Sequence, residues 1–241
     1  MLDWLKRPPR EEPAIELAGQ RLPIAIRRLA HARRMTLRLA PDGSEVRVSI
    51  PQWGRTAEAL AFARSRADWL ARQLAALPAP APVGPGERLP YRGQWLTVAH
   101  SADAPRRPRR EGDVLRLGGP AAALPARLRR WLEAEAQALC TEDLAHYCAR
   151  AGPPVPKLAL SNARRRWGSC GPDGAIRINW RLVMAPDFVR RSVVAHEVAH
   201  LVHFDHSPRF HALLDELFDG DLPAANAWLK RESRHLYALF G

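Results

Sequence analysis

The chain has 241 residues, 46% of them hydrophobic, and a formal charge of +12 at pH 7, which is enough apolar material for one large domain or two small ones. No run of about 18 apolar residues is present, which excludes a membrane-spanning helix, and its three cysteines are too few and odd in number for a disulfide framework. The first ten residues lack the apolar stretch of a signal peptide, so a cytoplasmic protein is expected.

The positive charge predicts an anionic partner, nucleic acid or a phosphorylated small molecule. Only Lys6, Lys157 and Lys230 among the basic residues are lysine, and the chain is rich in Ala and Pro. A GC-rich coding bias accounts for the arginines equally well.

Residues 1–12 are charged and aperiodic and are expected to be a flexible tail. Residues 13–118 form a β-rich N-terminal region. Ile15 to Leu17 and Ile24 to Leu29 flank Gly19, Met35 to Leu39 alternates with basic residues, and Val46 to Ile50 follows the turn Pro41-Asp42-Gly43. This predicts a small antiparallel sheet of hairpins whose outer face carries Arg27, Arg28, Arg33, Arg34, Arg38 and Arg47.

From Thr56, read as an N-cap, to Leu77 the period is helical, with Leu60, Ala63, Ala67, Leu70 and Leu74 in one stripe. Residues 77–86 are a Pro-rich connector. Strands are expected at Glu87 to Tyr91, Gln94 to Ala99 and Val114 to Leu117, with a basic loop at 106–110. Residues 119–241 read as a second domain. An Ala-rich helix runs from about Pro125 to Arg150 and is stopped by Gly152-Pro153-Pro154. A strand at Leu158 to Leu160 precedes a hairpin turned by Pro172-Asp173-Gly174.

A helix predicted over 187–204 contains His196-Glu197-Val198-Ala199-His200. Histidines four apart stand on one face and can converge on one ion, with Glu197 beside it without ligating it. That is the pattern of a zinc hydrolase, in which neutral imidazoles hold Zn²⁺ and the carboxylate takes a proton from water.

Two histidines follow. On a continued helix, His203 would lie about 10 Å along the axis from His196, too far for three ligands around one ion. Ser207-Pro208 is a helix start, so the chain turns before it and can carry His206 back toward the pair. The geometry favours His206 as the closing ligand. Its offset from His200 equals that of the metzincins, but His203 stands at their glycine and no Met-turn follows.

Residues 166–170 (Arg-Trp-Gly-Ser-Cys), 178–186 (Ile-Asn-Trp-Arg-Leu-Val-Met-Ala-Pro), the His-Glu-Val-Ala-His core and 206–210 (His-Ser-Pro-Arg-Phe) together resemble the bacterial YgjP-like zinc metallopeptidase family, which is related to the SprT-like proteases. The match is specific over 164–217 and looser around Arg64 to Leu70. The resemblance implies zinc held by His196, His200 and His206, with Glu197 catalytic. Asp205 stands where Asn is common and His211 where Trp is common, which leaves the substrate pocket open.

The resulting expectation is an α+β fold with a zincin-like core (long helix, small antiparallel sheet, His-Glu-x-x-His helix, C-terminal helices) preceded by a β-rich region with one helix. Arg209, His211 and His203 are candidates for a transition-state donor. Asp205 or Asp215 could orient a ligand imidazole. Trp167 and Trp180 read mainly as core residues, residues 166–170 as an edge that pairs with extended peptide, and Cys170 as a packed thiol. Three functions fit: a zinc peptidase acting on protein or peptide, a metal-dependent hydrolase of nucleotide phosphoanhydrides, and a non-catalytic zinc module binding nucleic acid through the Arg-rich sheet.

Overall fold

The computed structural model describes residues 13–77 and 83–240, so the tail and most of the Pro-rich connector lie outside the described residues. The chain divides into two compact units, Met1–Pro78 and Ala79–Gly241.

In the first unit, β1 (Ala14–Leu17) and β2 (Gln20–Leu29) form a hairpin around Ala18-Gly19, both at positive φ (49° and 79°), the two-residue turn whose twist matches its strands. β3 (Thr36–Leu39) and β4 (Val46–Pro51) form a second hairpin. The order is β1-β2-β4-β3, with β2 and β4 parallel. The sheet is therefore mixed, not purely antiparallel: β3 lies on the outside, and β4 returns beside β2 in the same direction. Alternation fixes which face of a strand is buried but not which neighbour it takes.

The core of this unit is Ile15, Leu17, Leu22, Ile24, Val46, Val48 and Ile50 under α1 (Thr56–Ser65) and α2 (Ala67–Ala75). Two helices stand where one was expected. The chain leaves helical geometry at Arg66 (φ −113°, ψ 17°), so α1 buries Ala59 and Ala63 while α2 separately buries Leu70. Arg55 takes the N-cap position and Thr56 is already helical; its hydroxyl accepts from Arg28 Nη2 at 2.8 Å.

The second unit begins with the same topology. β5 (Arg88–Tyr91), β6 (Gln94–Ser101), β7 (Arg109–Glu111) and β8 (Val114–Gly118) lie in the order β5-β6-β8-β7 with β6 and β8 parallel. Arg92-Gly93 repeats the positive-φ turn (52° and 76°), and Leu89, Tyr91, Leu96 and Val98 are buried as Ile15, Leu17, Leu22 and Ile24 are in the first sheet. The expected basic loop at 106–110 thus runs into an edge strand.

Helix α3 (Leu124–Ala151) carries Pro125 in its first turn and ends on Gly152 at φ 95°, a left-handed cap that glycine takes without steric cost. It buries Leu124, Leu128, Leu132, Ala136, Cys140, Leu144 and Tyr147, roughly one per turn. β9 (Leu158–Ser161), β10 (Gly168–Cys170) and β11 (Ile176–Asn179) follow in the order β10-β11-β9, with β11 antiparallel to β10 and parallel to β9. This sheet too is mixed, and β10 is an edge.

A 3₁₀ turn at Trp180–Val183 leads to α4 (Asp187–Val202), which packs on α3. α5 (Pro208–Leu217) and α6 (Leu222–Ala238) complete the unit. Among the described residues no helix is long and apolar enough to cross a membrane.

The start of α4 is held from two sides. The β5–β6 turn donates from Arg92 N to Val183 O (2.8 Å) and from Gly93 N to Met184 O (3.2 Å). A Cβ on Gly93 would sit 2.9 Å from Pro186 Cγ, so only glycine lets the turn come this close. Arg92 Nη2 pairs with Asp187 Oδ2 at 2.5 Å, and Arg190, 3% exposed, bridges Asp187 (2.5 Å) and Asp143 of α3 (2.7 Å). The helix bearing the His-Glu-x-x-His motif is therefore pinned to α3 by buried charge as well as by Val189, Val194 and Val198.

Candidate metal centre

α4 is buried on most of its circumference: Ser192, Val194, Ala195, Glu197, Val198 and Ala199 are all covered, while His196 and His200 share a half-open face. The helix ends two residues after the motif, at Val202. His203 is its C-cap, extended at φ −127° and ψ 102°, and the chain turns through Phe204 to His206 before Ser207 caps α5 by accepting from Phe210 N at 3.5 Å.

This turn brings His206 back over α4. One ligand-capable nitrogen from each of His196, His200 and His206 lies within 4.8 Å of the others, and His206 Nε2 stands 3.3 Å from His196 Nε2. Two nitrogens bound 2.0–2.1 Å from one tetrahedral centre are about 3.3 Å apart. The spacing and the donor type both fit a zinc ion.

The protonation states agree. Burial first, then the neighbouring charges of His200, His206 and His211, lowers the His196 pKa to about 4, so its imidazole is neutral and free to ligate. Burial also lowers that of His200, against the opposing effect of its hydrogen bond to the His203 carbonyl. That bond, His200 Nδ1 to His203 O at 3.2 Å, puts the proton on Nδ1 and leaves Nε2 for an ion. His203 thus serves the site through its backbone carbonyl and not as a member of the cluster.

Glu197 is 5% exposed. Burial raises its pKa to about 7, against the charge of Arg166 and a hydrogen bond from the Cys170 backbone N–H. A carboxyl with this pKa can take up and return a proton near neutrality. β10 packs directly onto it: a Cβ on Gly168 would lie 2.7 Å from Glu197 Cγ and 2.8 Å from Cδ, and closer still to Oε1.

Two participants escaped sequence reasoning. Phe210, fully buried, lies below the cluster with its ring centroid 5.0, 4.5 and 4.8 Å from those of His196, His200 and His206. Its place as the third residue of a helix capped by Ser207 was the available signal. Gly168 was visible only as a small residue in a strand, and its function of making room for Glu197 depends on a contact across 29 positions.

The remaining candidates lie at the margin. Arg209 is exposed on the first turn of α5. His211 is exposed, its ring 6.4 Å from that of His206. Asp205 is exposed and accepts from Ser207 N at 3.4 Å, and Asp215 is exposed on α5. Trp167 is partly buried, 5.3 Å from the Tyr237 ring, and Trp180 is core. Cys170 is not a member of the histidine cluster; its thiol faces the Gly171 carbonyl at 3.6 Å.

A mixed α+β unit carrying three convergent imidazoles next to a buried carboxyl has the make-up of a metallopeptidase domain. The chain belongs to the YgjP-like family, whose metallopeptidase-domain model matches residues 33–232. No curated protein and no solved structure gives a match.

Proposed function

We propose that the chain is a zinc-dependent metallopeptidase in which His196, His200 and His206 hold the metal and Glu197 is the general base. The observation that carries this reading is the 3.3 Å separation of His206 Nε2 and His196 Nε2 inside a three-histidine cluster. Zinc supplies Lewis-acid polarisation of a carbonyl and a nucleophilic water at neutral pH. Glu197 receives the proton and hands it to the leaving amine, held in place by the Cys170 N–H and by the backbone of Gly168.

α3, the three-stranded sheet, α4 and α5 then make a zincin-like core. Among the described residues the outer edge of β10 pairs with no strand and offers backbone groups for an extended peptide to pair with. Free cysteines Cys140, Cys148 and Cys170 fit a reducing, cytoplasmic setting.

The test is a screen of zinc-loaded protein and of Glu197→Gln against a peptide library and a nucleotide panel. Peptide hydrolysis by the parent chain, lost in a variant that retains its zinc, supports the proposal. Phosphate release from nucleotides with no peptide cleavage, or unchanged turnover in Glu197→Gln, overturns it.

A further inference from the structure

Helix α3 carries Arg127, Arg130, Trp131, Ala134 and Glu135 at spacings of three and four residues, so they share one face. The segment Arg106-Arg107-Pro108 between β6 and β7 lies against that face, and together these residues line a groove of about 460 Å³. The groove shares no residue with the histidine site. Its volume is that of a small-molecule pocket, enough for one nucleotide unit.

The charges in the groove are unbalanced. Arg106, Arg107 and Arg130 are exposed and have no acidic partner among the described residues. Arg127 is partly buried and fixed by donating Nη1 to the Gly118 carbonyl. Opposing these four is one carboxylate, Glu135, which already accepts from the Tyr91 hydroxyl at 2.5 Å. Planar guanidinium forks match phosphate oxygens two at a time, which point-charge lysines do not.

The groove also has one aromatic side chain in its wall. Trp131, half-buried, lines it and lies 5.0 Å from the ring of buried Tyr91, and Arg110 of β7 stands 5.3 Å from the Tyr91 ring. Exposed Arg109 extends the basic surface along the edge of β7. Arginines around an aromatic wall are the two components of a single-strand binding surface, one for the backbone and one for stacked bases. An acidic peptide would use only the first.

We propose that this groove binds single-stranded nucleic acid, with Arg106, Arg107 and Arg130 on phosphates and Trp131 beside a base. Binding here is independent of the chemistry proposed for the histidine site, and it occurs at α3, not on the Arg-rich sheet of the first unit.

The experiment is fluorescence anisotropy of a labelled 15-nucleotide oligothymidylate with the full chain over a range of salt, with thermal melts to check each variant. The triple variant R106A/R107A/R130A is expected to bind about 10- to 100-fold more weakly and to lose about 2 from the slope of log affinity against log salt. The equal-charge control R27A/R33A/R34A, exposed residues of the first unit, is expected to bind within about threefold of the parent. Three results overturn the proposal: no binding by the parent chain, an equal loss in the control, or tighter binding of a labelled polyglutamate peptide than of the oligonucleotide.

Discussion

Gly168→Ala isolates the contact between β10 and Glu197. The added methyl would stand 2.7 Å from Glu197 Cγ and 2.8 Å from Cδ, where carbon atoms require about 3.5 Å or more. One side has to give by about 1 Å. β10 is hydrogen-bonded to β11 in register, whereas the carboxylate is the far end of a flexible side chain, so Glu197 moves. The cost in stability is that of mild overpacking, about 1–3 kcal/mol. The cost in catalysis is larger, because a misplacement of about 1 Å lowers turnover by about 100-fold.

The assay pairs zinc content by elemental analysis and thermal stability with kcat on a cleaved peptide. Full zinc occupancy, a folded protein and a kcat about 100-fold below that of the parent chain are expected. A variant that keeps its kcat would refute the idea that β10 sets the position of the base.

The remaining predictions concern the helix and the turn that carry the ligands. Arg190→Met removes the buried bridge to Asp143 and leaves that carboxylate, among the described residues, with only the 3.7 Å contact from Arg191; urea melts should show a loss of about 3–5 kcal/mol. Burial pushes the Asp187 pKa upward, but the hydrogen bonds and charges of Arg92 and Arg190 overcome it and hold the group below the usual carboxylate range. Its stabilising contribution is therefore complete above the unfolded pKa of about 4 and disappears as pH falls through the lower folded value; Asp187→Asn should lower the melting temperature at pH 7 and flatten its fall below pH 4. His203→Ala retains the backbone carbonyl that accepts from His200, so zinc affinity in a competition titration should stay within about tenfold of the parent, while His206→Ala should fall well below that.

How much of this was legible beforehand depended on the range of the determining contacts. The helix of the His-Glu-x-x-His motif, its start after Pro186 and the cap at Ser207 are encoded within a few residues of where they occur, and so was the return of His206. The fold class was readable as α+β for the same reason. Partner choice was not: nothing local in Val46 to Ile50 says that β4 lies parallel to β2, or that the second sheet repeats the pattern. β7 was hidden because Arg109-Arg110-Glu111 is exposed at all three positions and carries no apolar alternation. The break at Arg66 was hidden because the apolar stripe runs through it.

The site divides along the same line. Proximity of the three histidines followed from helix geometry and a turn, whereas the neutrality of His196, the hydrogen bond from His200 to the His203 carbonyl and the room left by Gly168 arise from burial and from contacts between distant segments. Phe210 belongs with the second group: its position in α5 was readable, but not its place beneath all three rings.

The central claim is that one metal ion sits among His196, His200 and His206. Anomalous diffraction at the zinc edge from crystals of the zinc-loaded chain tests it most directly. The account predicts a single strong peak about 2.0–2.1 Å from a ring nitrogen of each of the three histidines, with Glu197 adjacent and not coordinating. A peak ligated by His203 or by the Cys170 thiol in place of His206, or no peak at α4, would contradict it.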